Sequence, residues 1–463
     1  MIARNPRTEF PMPDDLTANY RNDTLVLGIS DLKRLRRERP LVLAKGRGVY
    51  VFDESGRDYI EAVSSFYCVG LGYSDPELIE AAIEQLRALP MYPSGAHRTV
   101  PVVMELAEKL AALAPFPKAR VTFATTGSEA NDHVLKFLWF SNAASGQPQR
   151  RKIVTRKGSY HGSTVATTAM GGGARLHQIF GIPTGDMLHV SQPVVQPGES
   201  EAAATARLVA EFTATVEAAG PGTIAAFYAE PLSVSAGMRP PPKGYFAGIG
   251  AVCDRHGIRL IADEVVTGFG RLGTFWGSQA VGAKPALLTA AKNLSSAYQP
   301  ISAIVMGEEF ADALESASDA EGWLPHNGTY HAHPVAAAVA LKVLELFEKR
   351  NLLAYVNRII PYWTRALSRL EGHALVKAVR CHGLLAGIDL NDPAASGPAT
   401  SLKVEGIAQL VYDAALDCGL IVRPLAGGLV LSPPLVITEA EIDELVARLS
   451  RALDLAAGAA HVA

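Results

Sequence analysis

Hydrophobic and polar positions along this chain follow two alternating rhythms. Short apolar runs bounded by glycine, proline or charge read as buried strands: Val121–Ala124, Lys152–Arg156, Thr223–Glu230, Ile258–Glu264, Ala286–Ala291 and Ile301–Gly307. Other stretches carry apolar residues at helical spacing: Pro76–Leu89, Val102–Ala114, Glu129–Ala143, Glu201–Ala219, Tyr245–His256 and Pro334–Lys349. Gly257 stands where a C-cap glycine belongs, just before the next strand. Such alternation predicts an α/β fold with a mainly parallel sheet and helices on both faces. The flanks differ. Leu41–Tyr59 holds short strand patterns around a Gly56 turn, and beyond residue 350 helices alternate with short strands such as Leu385–Leu390 and Gly428–Leu431. We therefore expect a large domain over 61–330 and a smaller α+β domain assembled from both termini, 1–60 and 331–463.

Composition narrows the partners. With 463 residues, 48% of them hydrophobic, the chain can bury a large core. A net charge of -3 and a pI of about 6.5 supply no field for nucleic acid or an anionic membrane, so neither is expected as a partner. The four cysteines are scattered without a CxxC pair, which suits reduced thiols inside a cell. No apolar stretch reaches the roughly 18 residues of a membrane span. Met1–Leu16 mixes charge with proline and lacks the apolar core of a signal peptide, so a cytoplasmic location is expected.

Two strands end on ionisable residues. Ile258–Ala262 delivers Asp263, and Ala286–Ala291 delivers Lys292. In an open α/β sheet, strand ends converge on the ligand crevice. A lysine there, with an acid to keep a heterocyclic nitrogen protonated, matches the demands of pyridoxal phosphate chemistry. Singly, each has a plainer reading: a solvated strand end, or a cap for the next helix. Gly127 and Ser128 follow the strand Val121–Ala124 and open a helix, a place that suits a phosphate; a simple N-cap serine is the alternative. Tyr160, followed by His161 and Gly162, can offer an aromatic face to a planar ring, although a core or rim tyrosine fits the same pattern. Arg423 lies between two strands, where it is either a surface arginine or a fork for a substrate carboxylate.

Two further patterns are set aside. Gly268–Gly273 spells GxGxxG, but no helix start follows and no acid occurs between Glu264 and Glu308 to hold a ribose, which excludes a nicotinamide site. His326, His331 and His333 crowd together without a nearby carboxylate or cysteine, so no metal is expected; polar loop residues beside a cofactor are the preferred reading.

Taken in order and spacing, these motifs resemble the class III (ω-)aminotransferases, pyridoxal phosphate enzymes of fold type I. The resemblance runs from about Leu41 to Leu453. It rests on Gly127-Ser128-Glu129-Ala130-Asn131, Tyr160-His161-Gly162, Glu230-Pro231, Asp263 through Arg271, Ala291-Lys292, Thr329-Tyr330 with His333-Pro334, and Arg423-Pro424 with Pro433-Pro434-Leu435. It implies a seven-stranded sheet in the large domain. It also implies that Lys292 holds the cofactor as a Schiff base, Asp263 pairs with its ring nitrogen, and Val265 packs on the ring opposite Tyr160. Gly127 and Ser128 would bind its phosphate, with Glu230 in support. Thr329 would reach the cofactor of a neighbouring subunit, which implies a homodimer with shared sites. Phe66, Tyr67 and Arg423 would meet substrate, Arg423 gripping carboxylates and swinging aside for apolar groups.

Departures from the family pattern are Ala286, Ala297, Asn327 and His331. Tyr67 stands where many relatives carry tryptophan, and Gly95-Ala96 where some carry aromatics, which implies one enlarged pocket. The expected activity is a ping-pong transfer of an amino group from a primary amine or ω-amino acid to a keto acid, pyruvate foremost, through pyridoxamine phosphate. Lys292 serves as the general base at the substrate's amine-bearing carbon. A decarboxylase or aminomutase of the same fold is the alternative.

Overall fold

The computed structural model describes residues 24–392, 406–425 and 427–460. Met1–Leu16, read above for targeting, and the outermost parts of both flanks lie outside the described residues.

The central feature is a seven-stranded sheet. Edge to edge its strands are Arg120–Ala124, Ser302–Met306, Leu287–Ala290, Arg259–Asp263, Ile224–Ala229, Lys152–Arg156 and Met187–Val190. Ser302–Met306 runs antiparallel to both neighbours, and the other six share one direction. Every residue of Ile224–Ala229 is buried, because helices cover both faces. Successive side chains there point to opposite faces. Ala226 and Tyr228 join the cluster built on Phe137 and Leu138 of the helix Gly127–Ala144. Phe227 and Ala229 join Leu208, Phe212 and Phe246 on the other side. Each large apolar side chain buried in this way contributes about 1.5–3 kcal/mol of transfer free energy.

The helices begin and end where local chemistry tells them to. Thr126 caps Gly127–Ala144 in a reciprocal box with Glu129. Gly257 ends Tyr245–His256 at φ 62°, a left-handed conformation that glycine adopts freely. Two smaller sheets flank the large one. In the first, Leu420–Ile421 pairs in parallel with Asp58–Glu61, joining segments from opposite ends of the chain. The second holds Val376–His382, Leu385–Leu390, Gly428–Leu431 and Arg423–Leu425.

The pattern-based elements are present with small shifts of boundary. The edge strand Met187–Val190 escapes the pattern because it is four residues long and mostly half-buried, without a clean alternation. The reversed direction of Ser302–Met306 leaves no trace in periodicity. Because six strands run the same way, Ala124, Arg156, Ala229, Asp263 and Ala290 end along one edge of the sheet, and the loops beyond them enclose a crevice.

Candidate active site

That crevice is a cavity of about 1040 Å³. Its floor is the pair of strand ends singled out above. Arg259–Asp263 delivers Asp263, which is 4% exposed, and Leu287–Ala290 leads through Ala291 to Lys292. Lys292 opens a short 3-10 turn at φ 48°, a left-handed conformation that costs a side-chain-bearing residue about 1–2 kcal/mol. Such strain persists where the surroundings dictate one orientation. Burial lowers the pKa of the Lys292 amine from its usual value, against the opposing influence of Cys68 and Asp263.

Asp263 is held by three donors. His161 Nδ1 lies 2.8 Å from Oδ2, the Asn131 amide donates to Oδ2 at 3.0 Å, and the Val265 N–H donates to Oδ1 at 3.1 Å. A carboxylate has about four lone-pair positions, so one remains for a donor arriving in the cavity. Asn131 is fixed in turn: its amide also reaches the His161 carbonyl at 2.6 Å, and its oxygen accepts from the Tyr228 hydroxyl at 2.7 Å. Sequence reasoning gives neither Asn131 nor Tyr228 a role. For Asn131 a signal exists, since positions three and four beyond Ser128 and Gly127 fall on the same helix face.

One wall is the N-terminus of Gly127–Ala144. Its capping box uses the N–H groups of Thr126 and Glu129, which leaves those of Gly127 and Ser128 for an anion. Small residues are required here. A Cβ on Gly162 would lie 2.6 Å from Ser128 Oγ, and one on Gly127 would lie 3.0 Å from Val265. The Ser163 N–H donates to Ser128 Oγ at 3.1 Å, tying the two loops together.

Tyr160 lines the cavity and is half exposed. Its backbone is tied to Glu230, whose Oε1 accepts from the Tyr160 N–H at 3.3 Å and from Ser233 Oγ at 3.1 Å. Glu230 pairs with the fully buried Arg156 at 2.8 Å. Burial alone would raise the Glu230 pKa, but the Arg156 charge prevails and holds it below the ordinary value. Across the cavity, Arg423 sits over the rings of Phe66 and Tyr67, its guanidinium carbon 5.0 Å and 5.3 Å from their centroids. Tyr67 is buried, whereas Phe66 is exposed at the mouth.

The structure thus brings Lys292, Asp263, Gly127, Ser128, Tyr160, Glu230, Val265, Phe66, Tyr67 and Arg423 to one cavity. Thr329 is exposed and does not line the cavity of its own chain. The GxGxxG segment forms consecutive turns rather than a helix start. Of the three crowded histidines, His326 and His331 lie close together, but their third companion is His133 rather than His333.

A phosphorylated pyridine aldehyde needs a lysine amine, a carboxylate for its ring nitrogen and backbone donors for its phosphate, and this cavity offers each. The spare lone pair of Asp263, the glycine-lined helix N-terminus and the buried Nε2 of His161, which has no partner among the described residues, fit such a guest.

Comparison with known proteins agrees. Residues 33–453 match the family model described as Aminotransferase class-III. The chain is 38% identical over 413 residues to gamma-aminobutyrate transaminase 1, mitochondrial, of Oryza sativa subsp. japonica, covering 88% of this chain and 80% of that protein. It is 37% identical over 420 residues to gamma aminobutyrate transaminase 3, chloroplastic, of Solanum lycopersicum, covering 89% and 80%. Among solved structures, the omega transaminase from Pseudomonas jessenii in complex with PMP superposes with a TM-score of 0.90 at 36% identity, over 94% of this chain and 97% of that one. A PMP-bound aminotransferase from Vibrio fluvialis gives 0.90 at 33% identity, over 97% and 99%.

Proposed function

The chain belongs to the class III aminotransferases, pyridoxal phosphate-dependent transaminases of fold type I, and we propose that it moves the amino group of a primary amine or ω-amino acid onto a keto acid, with pyruvate as acceptor. The observation that carries this reading is Arg423 in the same cavity as Lys292, stacked on Phe66 and Tyr67. A transaminase must accept two substrates in turn at one site. A planar guanidinium can grip the carboxylate of the keto acid. It can then rest on the aromatic rings while an apolar amine occupies the pocket.

Pyridoxal phosphate supplies, when bound, an aldehyde that takes up the amino group and a cationic ring that spreads the charge left at the amine-bearing carbon. The protein's own residues do the rest. We assign to Lys292 the covalent attachment and the movement of the proton at the amine-bearing carbon. A lowered amine pKa supports this, because the neutral form is the base. Asp263, oriented by His161, Asn131 and the Val265 N–H, would keep a proton on the ring nitrogen of the bound cofactor. Gly127 and Ser128 would bind its phosphate. Tyr160 and Val265, which line the cavity, would pack against the ring, and the Arg156–Glu230 pair steadies the Tyr160 loop.

A homodimer with shared sites is part of the proposal. Thr329 lies outside its own cavity, and its surroundings expose Trp323 and Tyr330, 67% and 63% accessible, as an apolar surface for a second copy. We further read the two ends of the chain as one smaller unit around 61–330, supported by the pairing of Leu420–Ile421 with Asp58–Glu61. A reducing compartment is supported by four free cysteines.

The test is spectroscopic. Holoenzyme mixed with an ω-amino acid or aryl-alkyl amine should lose its visible band and regain it on addition of pyruvate. If pyruvate fails to restore the band while another keto acid succeeds, the acceptor assignment is wrong. If no amine bleaches it, the donor assignment is wrong.

A further inference from the structure

Three histidines meet outside the cavity. His133 projects from the helix Gly127–Ala144, and His326 and His331 come from the segment after the helix Glu308–Glu321. One nitrogen from each lies within 4.8 Å of the other two. The His133 ring stands edge-on to His326 with centroids 4.1 Å apart, and its centroid is 4.8 Å from that of His331. His133 is 8% exposed, and its Nδ1 has no hydrogen-bond partner among the described residues. A buried ring nitrogen without a partner, on a ring packed against two further imidazoles, is an unfavourable arrangement unless something binds among them. Gly328 permits the closure, because a Cβ there would collide with the His331 ring.

We propose that His133, His326 and His331 form a site for a borderline divalent transition ion, for which Zn(II) is the probe. Three imidazoles with an open fourth position match the ligand preference of that class of ion. Tetrahedral coordination at 2.0–2.1 Å places ligand nitrogens roughly 3.3 Å apart. Each ring therefore has to move inward by about 1 Å at most, which side-chain rotation supplies. Burial pushes His133 down to about 3 and His326 down to about 4 and lowers His331 too, with the Lys136 charge adding to each, which favours the neutral, ligand-competent imidazoles. Among the described residues, two charged side chains face the group. Glu129 Oε1 lies 4.0 Å from His331 Nε2 and adds favourable charge. Lys136 Nζ lies 3.0 Å from His326 Nδ1 and competes with the ion. The ion would fasten the segment His326–His331, which carries Thr329, onto the helix whose N-terminus lines the cavity. That consequence rests on the role assigned to Thr329 above, whereas the binding itself does not.

The test uses holoenzyme freed of metal with a chelator and desalted, then titrated with ZnCl2 against a chromophoric competitor and separately with CoCl2. One Zn(II) per chain at micromolar affinity is expected, and Co(II) should give the intense visible bands of four-coordination. His326→Gln and His331→Gln should each weaken Zn(II) by roughly 100-fold and abolish the cobalt bands, while His256→Gln leaves both unchanged. Lys136→Met should tighten binding by about five- to tenfold, because its bond to His326 no longer competes. Should His133→Ala fail to fold, the two loop variants still decide the matter. Absence of stoichiometric zinc overturns the site, as does zinc binding that survives both loop substitutions. Neither outcome depends on transaminase turnover, so the site and the proposed activity fail separately.

Discussion

Replacing Arg156 with methionine should reverse the sign of one pH dependence. Arg156 is fully buried and donates both to the Glu230 carbonyl and, at 2.8 Å, to Glu230 Oε2. Removing one partner of a buried pair leaves an uncompensated charge, a cost of about 3–5 kcal/mol. In the wild type the Glu230 pKa is held below the ordinary 4.5. Its stabilising contribution is therefore fully present above that value and lost as pH falls through the folded-state pKa. In Arg156→Met burial, the largest influence, is opposed only by the weaker pull of His161 and the Tyr160 and Ser233 donors, so the folded-state pKa rises above the unfolded one. The neutral form is then the favoured one, and stability is lost as pH rises. A tenfold change in the acid constant corresponds to about 1.4 kcal/mol, so the deficit should grow from about 1–2 kcal/mol at pH 5 to the full 3–5 at pH 8. Urea-unfolding midpoints of wild type and variant across this range measure it. Adding Glu230→Gln removes the charge and should flatten the profile, recovering about 2 kcal/mol at pH 8. A deficit that stays constant with pH, or a double variant no better than Arg156→Met, would refute the reasoning.

Two other substitutions probe the cavity. Arg423→Leu removes charge-assisted bonds worth about 1.5–3 kcal/mol, so KM for the keto acid should rise roughly 10- to 100-fold, with that of an uncharged amine within about twofold; equal effects on both substrates would argue against a carboxylate role. Gly162→Ala introduces a Cβ 2.5 Å from Thr167 Oγ1 and 2.6 Å from Ser128 Oγ at φ 142°, so it should displace Ser128 and weaken cofactor binding at least about tenfold by absorbance titration; unchanged affinity would mean Ser128 takes no part in holding the phosphate.

Much of this arrangement is legible in the chain itself, and the exceptions have physical causes. Asp263 and Lys292 announce themselves because a buried parallel strand is a continuous apolar run, and the first ionisable residue beyond it must lie at the sheet edge. Gly127 and Ser128 are readable because a helix start has local chemistry. The donors around Asp263 are less so: Tyr228 sits inside a strand that looks purely apolar, and its hydroxyl matters only because Asn131 arrives from another element. Backbone strain leaves no trace either. Ser64, Ser65, Phe66 and Tyr67 all adopt positive φ, between 48° and 72°, without a glycine among them. Ala297 does so at 63°. Tertiary contacts impose such conformations against local preference. His133 stays hidden for the same reason, since nothing in a helix sequence shows which distant loop folds against it.

Every role proposed for the cavity depends on which amine carries the cofactor. Borohydride treatment of the holoenzyme fixes that linkage permanently, and peptide mapping by mass spectrometry then locates it. The added phosphopyridoxyl mass should fall on Lys292 alone; its appearance on any other lysine, with Lys292 unmodified, would contradict the assignment.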